Sequence, residues 1–215
     1  MKKEAVNVIQ LLREIERKIE LRTSGQPRIR VSVGEYLYNR CKDAVSKFSI
    51  ENPELTIRLH MISSRADAFR DLRLGSTDIL LISNFGHASQ EPRIAAQAKM
   101  RVYRSATKDN TESRRWILPI LEPRDTQEFI QALGEIAVKD VANAMTVPNY
   151  YSIKSMCVAG RGQALLFEED SQEDVTAGRL VQAVPGSVTI SRGCYYFGES
   201  ETLEKVSRYL IEAIK

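Results

Sequence analysis

Cysteine and histidine are scarce in this chain of 215 residues, which holds three cysteines and two histidines. The cysteines stand far apart, at positions 41, 157 and 194, so neither a disulfide framework nor a zinc site is expected. No run of about 20 apolar residues occurs, so no membrane-spanning helix is predicted. The net charge is only +3, too small for a bulk nucleic-acid surface. We therefore expect no metal, no cofactor and no membrane association.

The composition that is present is typical of a globular protein, with 43% hydrophobic and 27% charged residues. The first twenty residues carry charges where a signal peptide has an apolar centre, which predicts a cytoplasmic location. Residues 2–22 have apolar side chains at three- and four-residue steps, so they predict an amphipathic helix ending near Gly25 and Pro27. Such a helix is marginal alone, so its apolar stripe must pack on its own domain or on a second copy.

Alternating strand and helix patterns follow. Strands are predicted at residues 29–33, 55–62 and 79–82, with helices over 36–48 and 65–74. Short connections of this kind form βαβ units, which predict a parallel sheet with helices on its faces. The later chain is less regular. We predict strands there at 99–105, 116–121, 144–147, 163–167, 181–184, 188–190 and 194–197, and helices at 126–136, 153–159 and 201–214.

Several short motifs occur along the chain in a particular order. They are Lys47-Phe48, Pro53-Glu54-Leu55, Ser63-Ser64, Leu72-Arg73-Leu74-Gly75-Ser76-Thr77-Asp78, Ala159-Gly160-Arg161-Gly162 with Leu165-Leu166, and Ala177-Gly178-Arg179-Leu180. The ordered set resembles the effector-binding domain of LysR-type transcriptional regulators over residues 28–215, with residues 2–22 in place of the family's linker helix. Arg161 departs from the family, where an apolar residue is common, and this puts the packing of its turn in doubt.

This resemblance implies an α/β fold of two Rossmann-like lobes joined by two crossover strands, similar to type 2 periplasmic binding proteins and preceded by an N-terminal helix. The helix would occupy residues 1–25, lobe I residues 28–104 plus 187–215, and lobe II residues 105–186. The resemblance also implies a small-molecule effector in the interlobe cleft and a homo-oligomer, either a dimer or a tetramer. DNA would be contacted only through a winged helix-turn-helix domain, which this sequence lacks, so a truncated regulator is expected.

Candidate ligand-binding residues follow the predicted strand ends, because ligands of open α/β sheets bind beyond the carboxyl ends of strands. Gly34 permits close backbone approach and the next helix offers N–H groups to an anion, although Glu35 opposes a carboxylate ligand. Arg124 is a weaker candidate. For each candidate residue, a purely structural role as a turn, cap or core residue is the alternative to ligand binding. The predicted effector-binding residues are Gly34, Glu35, Tyr36, Ser63, Ser64, Asn84, Phe85, Asn149 and Tyr150, with Tyr151 beside the last.

No catalytic set is evident in the sequence. No motif places a histidine near the paired serines, Gly160-Arg161-Gly162 lacks the phosphate-loop pattern, and no carboxylate spacing marks an acid–base pair. We therefore predict a ligand-sensing domain and not an enzyme. Two alternatives stay open. A stand-alone solute-binding protein of the same bilobal fold would be a monomer with a cleaved signal sequence. A small enzyme resembling a prephenate-dehydratase lobe pair would need an acid, base or nucleophile in its cleft.

Overall fold

The computed structural model describes residues 12, 28–62, 64–84, 90–107, 114–120, 127, 129–131, 134 and 143–215. Over these residues the chain has a mixed α/β fold, which confirms the predicted class. The predicted helices at 2–22 and 126–136 lie largely outside the described residues, as do Ser63, Phe85 and Arg124. None of the helices within the described ranges is both long and apolar enough to cross a bilayer.

The described ranges contain nine strands and five helices. The strands are β1 (Arg28–Val33), β2 (Thr56–Met61), β3 (Ile79–Asn84), β4 (Ile94–Ser105), β5 (Ile117–Pro119), β6 (Met145–Val147), β7 (Ala164–Phe167), β8 (Leu180–Gln182) and β9 (Val188–Tyr195). The helices are α1 (Glu35–Glu51), α2 (Arg65–Leu74), α3 (Tyr150–Val158), α4 (Glu168–Thr176) and α5 (Glu201–Ala213).

Apart from shifted ends of other elements, one helix and one strand were not predicted in their observed form. Helix α4 was missed, since its nine residues include five carboxylates and show no apolar period. Three of the carboxylates stand in its first turn, where they interact favourably with the helix dipole. Strand β9 was predicted as two short strands, because Arg192 and Gly193 interrupt its apolar pattern, yet Arg192 is fully buried.

The chain divides into two compact units. Unit 1 comprises Met1–Ser83, Ser89–Ala96 and Arg192–Lys215, and unit 2 comprises Asn84–Ala88 and Gln97–Ser191. Strands β4 and β9 therefore contribute residues to both units. The hydrogen-bonded strand order is β2-β1-β3-β9-β4-β7, with β8 also paired to β4, and β5 and β6 form a second sheet. The lobe boundaries implied by the family resemblance stay a prediction.

Unit 1 is organised around parallel strands. Strand β1 pairs in parallel with β2 along its whole length, ending with Val33 opposite Met61. On its other side β1 pairs in parallel with β3, and Val31 lies opposite Ile79. The first four residues of β3 are all buried, as expected for a parallel strand covered on both faces.

The motif that ends in Asp78 has a structural role in unit 1. Gly75 terminates α2 in the left-handed region, at φ 82°, a conformation that glycine adopts without steric cost. The buried Asp78 carboxylate accepts hydrogen bonds from Arg30 N, Nε and Nη2 at 2.9, 3.1 and 3.2 Å. The Asp78 N–H donates in return to Arg30 O at 2.9 Å. The motif therefore turns the chain and fastens the start of β3 to β1.

Unit 2 contains an antiparallel group and a short parallel pair. Strands β7 and β8 run antiparallel to β4, whereas β5 and β6 pair in parallel. A Cβ added at Gly162 would lie 2.5 Å from Arg115 O, so the chain approaches itself too closely there for any side chain. The neighbouring Arg161 is exposed, which removes the doubt about packing in this turn. The buried core of unit 2 consists of Tyr103, Ile117, Val147, Ile153, Cys157, Ala164, Leu166 and Leu180.

Candidate functional site

The carboxyl ends of the first strands form one edge of unit 1. The Ile62 N–H donates to Val33 O at 3.0 Å, and the Gly34 N–H donates to Leu81 O at 2.9 Å. These bonds hold the segments after β1 and β2 side by side and tie both to β3. Helix α1 begins directly after Gly34, and α2 begins after Ser64. The structure thus brings the first two predicted loops to a common edge, hereafter the carboxyl edge.

Gly34 has an ordinary backbone conformation, with φ −59° and ψ 146°. An added Cβ would meet Leu81 O at 3.8 Å and Ile82 Cα at 3.9 Å, which are normal van der Waals distances. The fold does not require glycine at this position. A role of Gly34 in ligand binding stays a prediction.

The two residues after Gly34 differ in exposure. Glu35 is half-buried at the start of α1. Tyr36 is buried, and its ring centroid lies 5.6 Å from the Arg192 guanidinium carbon and 6.0 Å from that of Arg40. Contacts of this length between cations and aromatic faces are attractive. Tyr36 therefore has a packing role in unit 1, and a role in ligand binding stays a prediction.

Ser64 is the N-cap of α2. Its Oγ accepts a hydrogen bond from Asp67 N at 3.2 Å, and its carbonyl accepts one from Ala68 N at 3.0 Å. Of the two roles that the sequence left open for this serine, the structure shows the capping role. A polar groove of about 310 Å³ adjoins it. Seven polar residues contribute to the groove lining: Ser32, His60, Ser64, Asp67, Asp71, Ser76 and Thr77.

Ser32 and Thr77 are groove residues that the sequence prediction missed. Their hydroxyl oxygens lie 2.6 Å apart and both side chains are buried. Ser32 stands between two buried valines of β1, so a hydroxyl residue inside an apolar strand was the available signal. Thr77 directly precedes the Asp78 of the motif. Together they place a buried hydroxyl pair beside the Ser64 cap.

In unit 2 the predicted loop after β6 is mostly helix. Asn149 caps α3, its Oδ1 accepting from Ser152 N at 2.7 Å. Tyr150 is the first residue of α3, not a loop residue. Its hydroxyl accepts from Phe167 N at 3.0 Å, and its ring centroid lies 5.4 Å from that of Phe167. Tyr150 thus joins α3 to the end of β7, while Tyr151 is exposed.

Asn84 does not follow β3 but is its last residue, buried at 2% exposure and assigned to unit 2. The sequence prediction ended this strand two residues early, because its apolar run stops at Ile82. That Asn84 and the other candidates bind an effector stays a prediction.

The three cysteine thiols are buried. Burial raises the pKa of the thiols of Cys41, Cys157 and Cys194 to about 12 in each case. These thiols are therefore protonated near neutral pH, and a protonated thiol is a poor nucleophile. Within the described ranges, no three His, Cys, Asp or Glu side chains are grouped so as to hold a metal ion. The carboxyl edge offers hydroxyl and backbone groups to a polar ligand.

Regulatory domains of known structure share this fold. The regulatory domain of HypT from Salmonella typhimurium, in its apo-form, is 16% identical, has a TM-score of 0.65, and covers 85% of this chain and 93% of its own. A sulfate-bound mutant regulatory domain of OxyR2 from Vibrio vulnificus is 14% identical, with a TM-score of 0.67 over 87% and 96%. No protein-family model and no curated sequence matches the chain.

A third similar structure is described as belonging to a named class of regulator. The regulatory domain of CrgA, a LysR-type transcriptional regulator from Neisseria meningitidis, is 17% identical, with a TM-score of 0.60 over 88% of this chain and 100% of its own. The chain therefore has the fold of a LysR-type regulatory domain, and the match extends over most of its length.

Proposed function

We propose that the chain is the ligand-sensing domain of a LysR-type transcriptional regulator. The observation that carries this proposal is the fold match to three regulatory domains, each over at least 85% of the chain. The ordered sequence motifs support it independently. A bound effector switches such a regulator only if it has different affinities for two arrangements of the protein. The interlobe location of the effector rests on the family resemblance.

The unit 1 part of the effector site is the carboxyl edge, where Gly34 leaves room and the hydroxyl of Ser64 stands at a helix start. Glu35, Asp67 and Asp71 are carboxylates at this edge or in the adjoining groove. Like charges at short range repel, so a polyanionic effector is disfavoured here. We propose a small polar effector that is uncharged or carries an amine, such as an amide or an amino compound.

A thermal-shift screen of small acids, amides and amines tests the proposal. A ligand at 100 times its dissociation constant adds about 2.7 kcal/mol of stability, which is easily detected. Hits are then titrated by calorimetry against Gly34→Ala, whose added methyl group the fold tolerates. We expect amides and amines to give larger thermal shifts than dianions. Gly34→Ala should lower the affinity for the best hit. A hit with unchanged affinity for this variant contradicts the assignment of the carboxyl edge.

Ser64→Ala has a matched control in the same unit. Ser200 caps α5 with the same geometry, its Oγ accepting from Leu203 N, so Ser200→Ala removes an equivalent cap. Each change costs about 1 kcal/mol of stability. The two variants should therefore lose similar stability. We expect only Ser64→Ala to lower the affinity for the effector. Equal affinities in the two variants restrict Ser64 to capping.

We propose that the chain acts in the cytoplasm as a homo-oligomer and reaches DNA through the winged helix-turn-helix domain of a complete regulator. Leu12, in the predicted helix at 2–22, is helical and 55% exposed, so it offers apolar surface to a second copy. Light scattering should show a smaller assembly for Leu12→Glu than for the control Ser46→Glu on α1. A monomer of the same mass in all three proteins favours the solute-binding alternative.

A further inference from the structure

A groove of about 710 Å³ opens in unit 1 where the end of α1, the start of β4 and α5 meet. Its apolar lining includes Phe48, Ile94, Tyr209 and Ile211. The rings of Phe48 and Tyr209 meet edge to face, with centroids 4.9 Å apart. Small-molecule sites in proteins have volumes of about 300–1,000 Å³ and mostly apolar walls with a few polar groups. The volume of the groove falls within this range, and its lining combines apolar and polar residues.

Charged side chains stand around this apolar lining. They are three cations, Lys205, Arg208 and Lys215, and two carboxylates, Glu51 and Glu212. Arg208 is paired with Glu204 at 2.6 Å, and Lys215 is paired with Glu212. Two of the three cations are therefore already matched by a neighbouring carboxylate. Lys205 and Glu51 are the charged lining residues outside these two pairs.

Lys205 is the cation that is left for a ligand. Its Nζ donates to Asn52 Oδ1 at 2.6 Å and lies 5.6 Å from the centre of the Phe48 ring. Asn52 is buried, and its Nδ2 donates to Phe48 O at 2.9 Å, so the amide is fixed with its oxygen toward Lys205. Within the described part of the chain, no carboxylate pairs with this ammonium. An ammonium group has three N–H donors, and the bond to Asn52 uses one.

We propose that this groove is a second ligand site, which binds a small monocarboxylate with an apolar ring or branched body. The carboxylate accepts hydrogen bonds from Lys205 Nζ, and the apolar body packs against Phe48 and Ile211. A polyanion is disfavoured because Glu51 and Glu212 flank the same groove, and a cation is repelled by Lys205.

The groove is distinct from the carboxyl edge proposed for the effector. Helix α1 begins at that edge with Glu35 and ends at the groove with Glu51. Its 17 residues, at a rise of 1.5 Å each, separate the two places by roughly 25 Å. A ligand in the groove therefore does not reach Gly34 or Ser64, and the two sites can be tested independently.

Phenylacetate is a suitable probe, with phenylacetamide as its uncharged analogue and phenethylamine as its cationic analogue. The full chain, labelled with ¹³C in the isoleucine methyl groups, is titrated with each compound and followed by NMR. Ile94 and Ile211 report on the groove, whereas Ile62 and Ile82 report on the carboxyl edge. We expect phenylacetate to shift the methyl resonances of Ile94 and Ile211 and not those of Ile62 and Ile82. The amide and the amine should bind at least roughly tenfold more weakly.

Variants of Lys205 complete the test. Lys205→Met should weaken phenylacetate roughly tenfold or more, because it removes the charge and keeps the length. Lys205→Arg should retain binding, as should Lys47→Met, which alters an exposed lysine of α1 outside the groove. Three results overturn the proposal: no shift of Ile94 and Ile211 at millimolar phenylacetate, shifts confined to Ile62 and Ile82, or equal affinity in Lys205→Met. Failure of the effector proposal leaves the Ile94 and Ile211 shifts unaffected, so the two proposals fail separately.

Discussion

Tyr150 combines a structural role in unit 2 with a predicted role in ligand binding, and single substitutions separate the two. Tyr150→Phe removes only the hydroxyl, which accepts the hydrogen bond from Phe167 N at 3.0 Å. The hydrogen bond between these two residues is then lost in a partly buried place. Losing one hydrogen bond costs about 1 kcal/mol.

Tyr150→Ala removes the ring as well. That ring packs against Phe167 and against the core of unit 2. Because Tyr150 is only partly buried, we expect the lower part of the range for aromatic truncations, about 3 kcal/mol. Whole domains have stabilities of about 5–15 kcal/mol, so this loss is large. A weaker ligand affinity in Tyr150→Ala would therefore mix a folding effect with a binding effect, and Tyr150→Phe is the better variant for ligand titrations.

Urea denaturation followed by tryptophan fluorescence measures both effects. The single tryptophan, Trp116, is buried in unit 2 and reports on its unfolding. The matched control is Tyr151→Ala, since Tyr151 is the exposed neighbour and should lose less than about 1 kcal/mol. The reasoning is refuted if Tyr150→Ala costs no more than Tyr151→Ala, or if Tyr150→Phe leaves the midpoint unchanged.

Three further predictions concern stability and reactivity. Gly162→Ala should destabilise the chain by about 2 kcal/mol, because the added Cβ would lie 2.5 Å from a backbone oxygen, whereas Gly34→Ala should not change the thermal midpoint; equal midpoints contradict this. Burial raises the pKa of Asp174, but hydrogen bonds from Arg179 and Lys154 outweigh it and lower that pKa overall. The ionised Asp174 therefore stabilises the fold above the unfolded-state pKa of 3.8, and the effect is lost as the pH falls through the lower folded-state pKa. Asp174→Asn should flatten the acid side of the stability curve in urea titrations, and an unchanged curve would contradict the ion pairing. All three buried thiols should react with a thiol reagent only after unfolding, and rapid labelling of the native chain would disprove their burial.

Elements with clear start and stop residues at their two ends were predictable from sequence. Helix α2 occupies the predicted residues 65–74, because Ser64 marks its start and Gly75 its end. Helix α4 was not predictable by periodicity, since its buried residues are Ser171 and Asp174. Its stability depends on ion pairs with other elements, such as Asp174 with Lys154 of α3 at 3.0 Å. Pairing between distant residues leaves no local pattern in a sequence.

The positions of some candidate residues at strand and helix ends were predictable from sequence, but their roles were not. Ser64 stands at a helix start, as the sequence indicated, whereas Asn149 caps a helix that begins three residues before the predicted one; both use a side-chain oxygen as a cap. A cap and a ligand contact require the same residue types at the same position, so sequence alone does not separate them. Arg192 lies between two strands of the sequence prediction, yet it is buried within one strand and donates to Ile214 O. A charged residue in a sequence is normally expected to be exposed. Its burial in a strand cannot be predicted unless its hydrogen-bond partner is known.

The discontinuity of unit 1 has a consequence for synthesis on the ribosome. Asn52 and Lys205 form a contact across 153 positions of the chain, and β3 acquires β9 as its neighbour only when residues after 187 have emerged. At an elongation rate of about 5–20 residues per second, β3 waits on the order of 10 s with one side uncovered. Unit 2 is largely one continuous stretch that ends at Ser191, so it emerges before the C-terminal part of unit 1. During the second half of translation, the nascent chain therefore exposes an incomplete sheet with an unpaired strand edge, to which chaperones can bind.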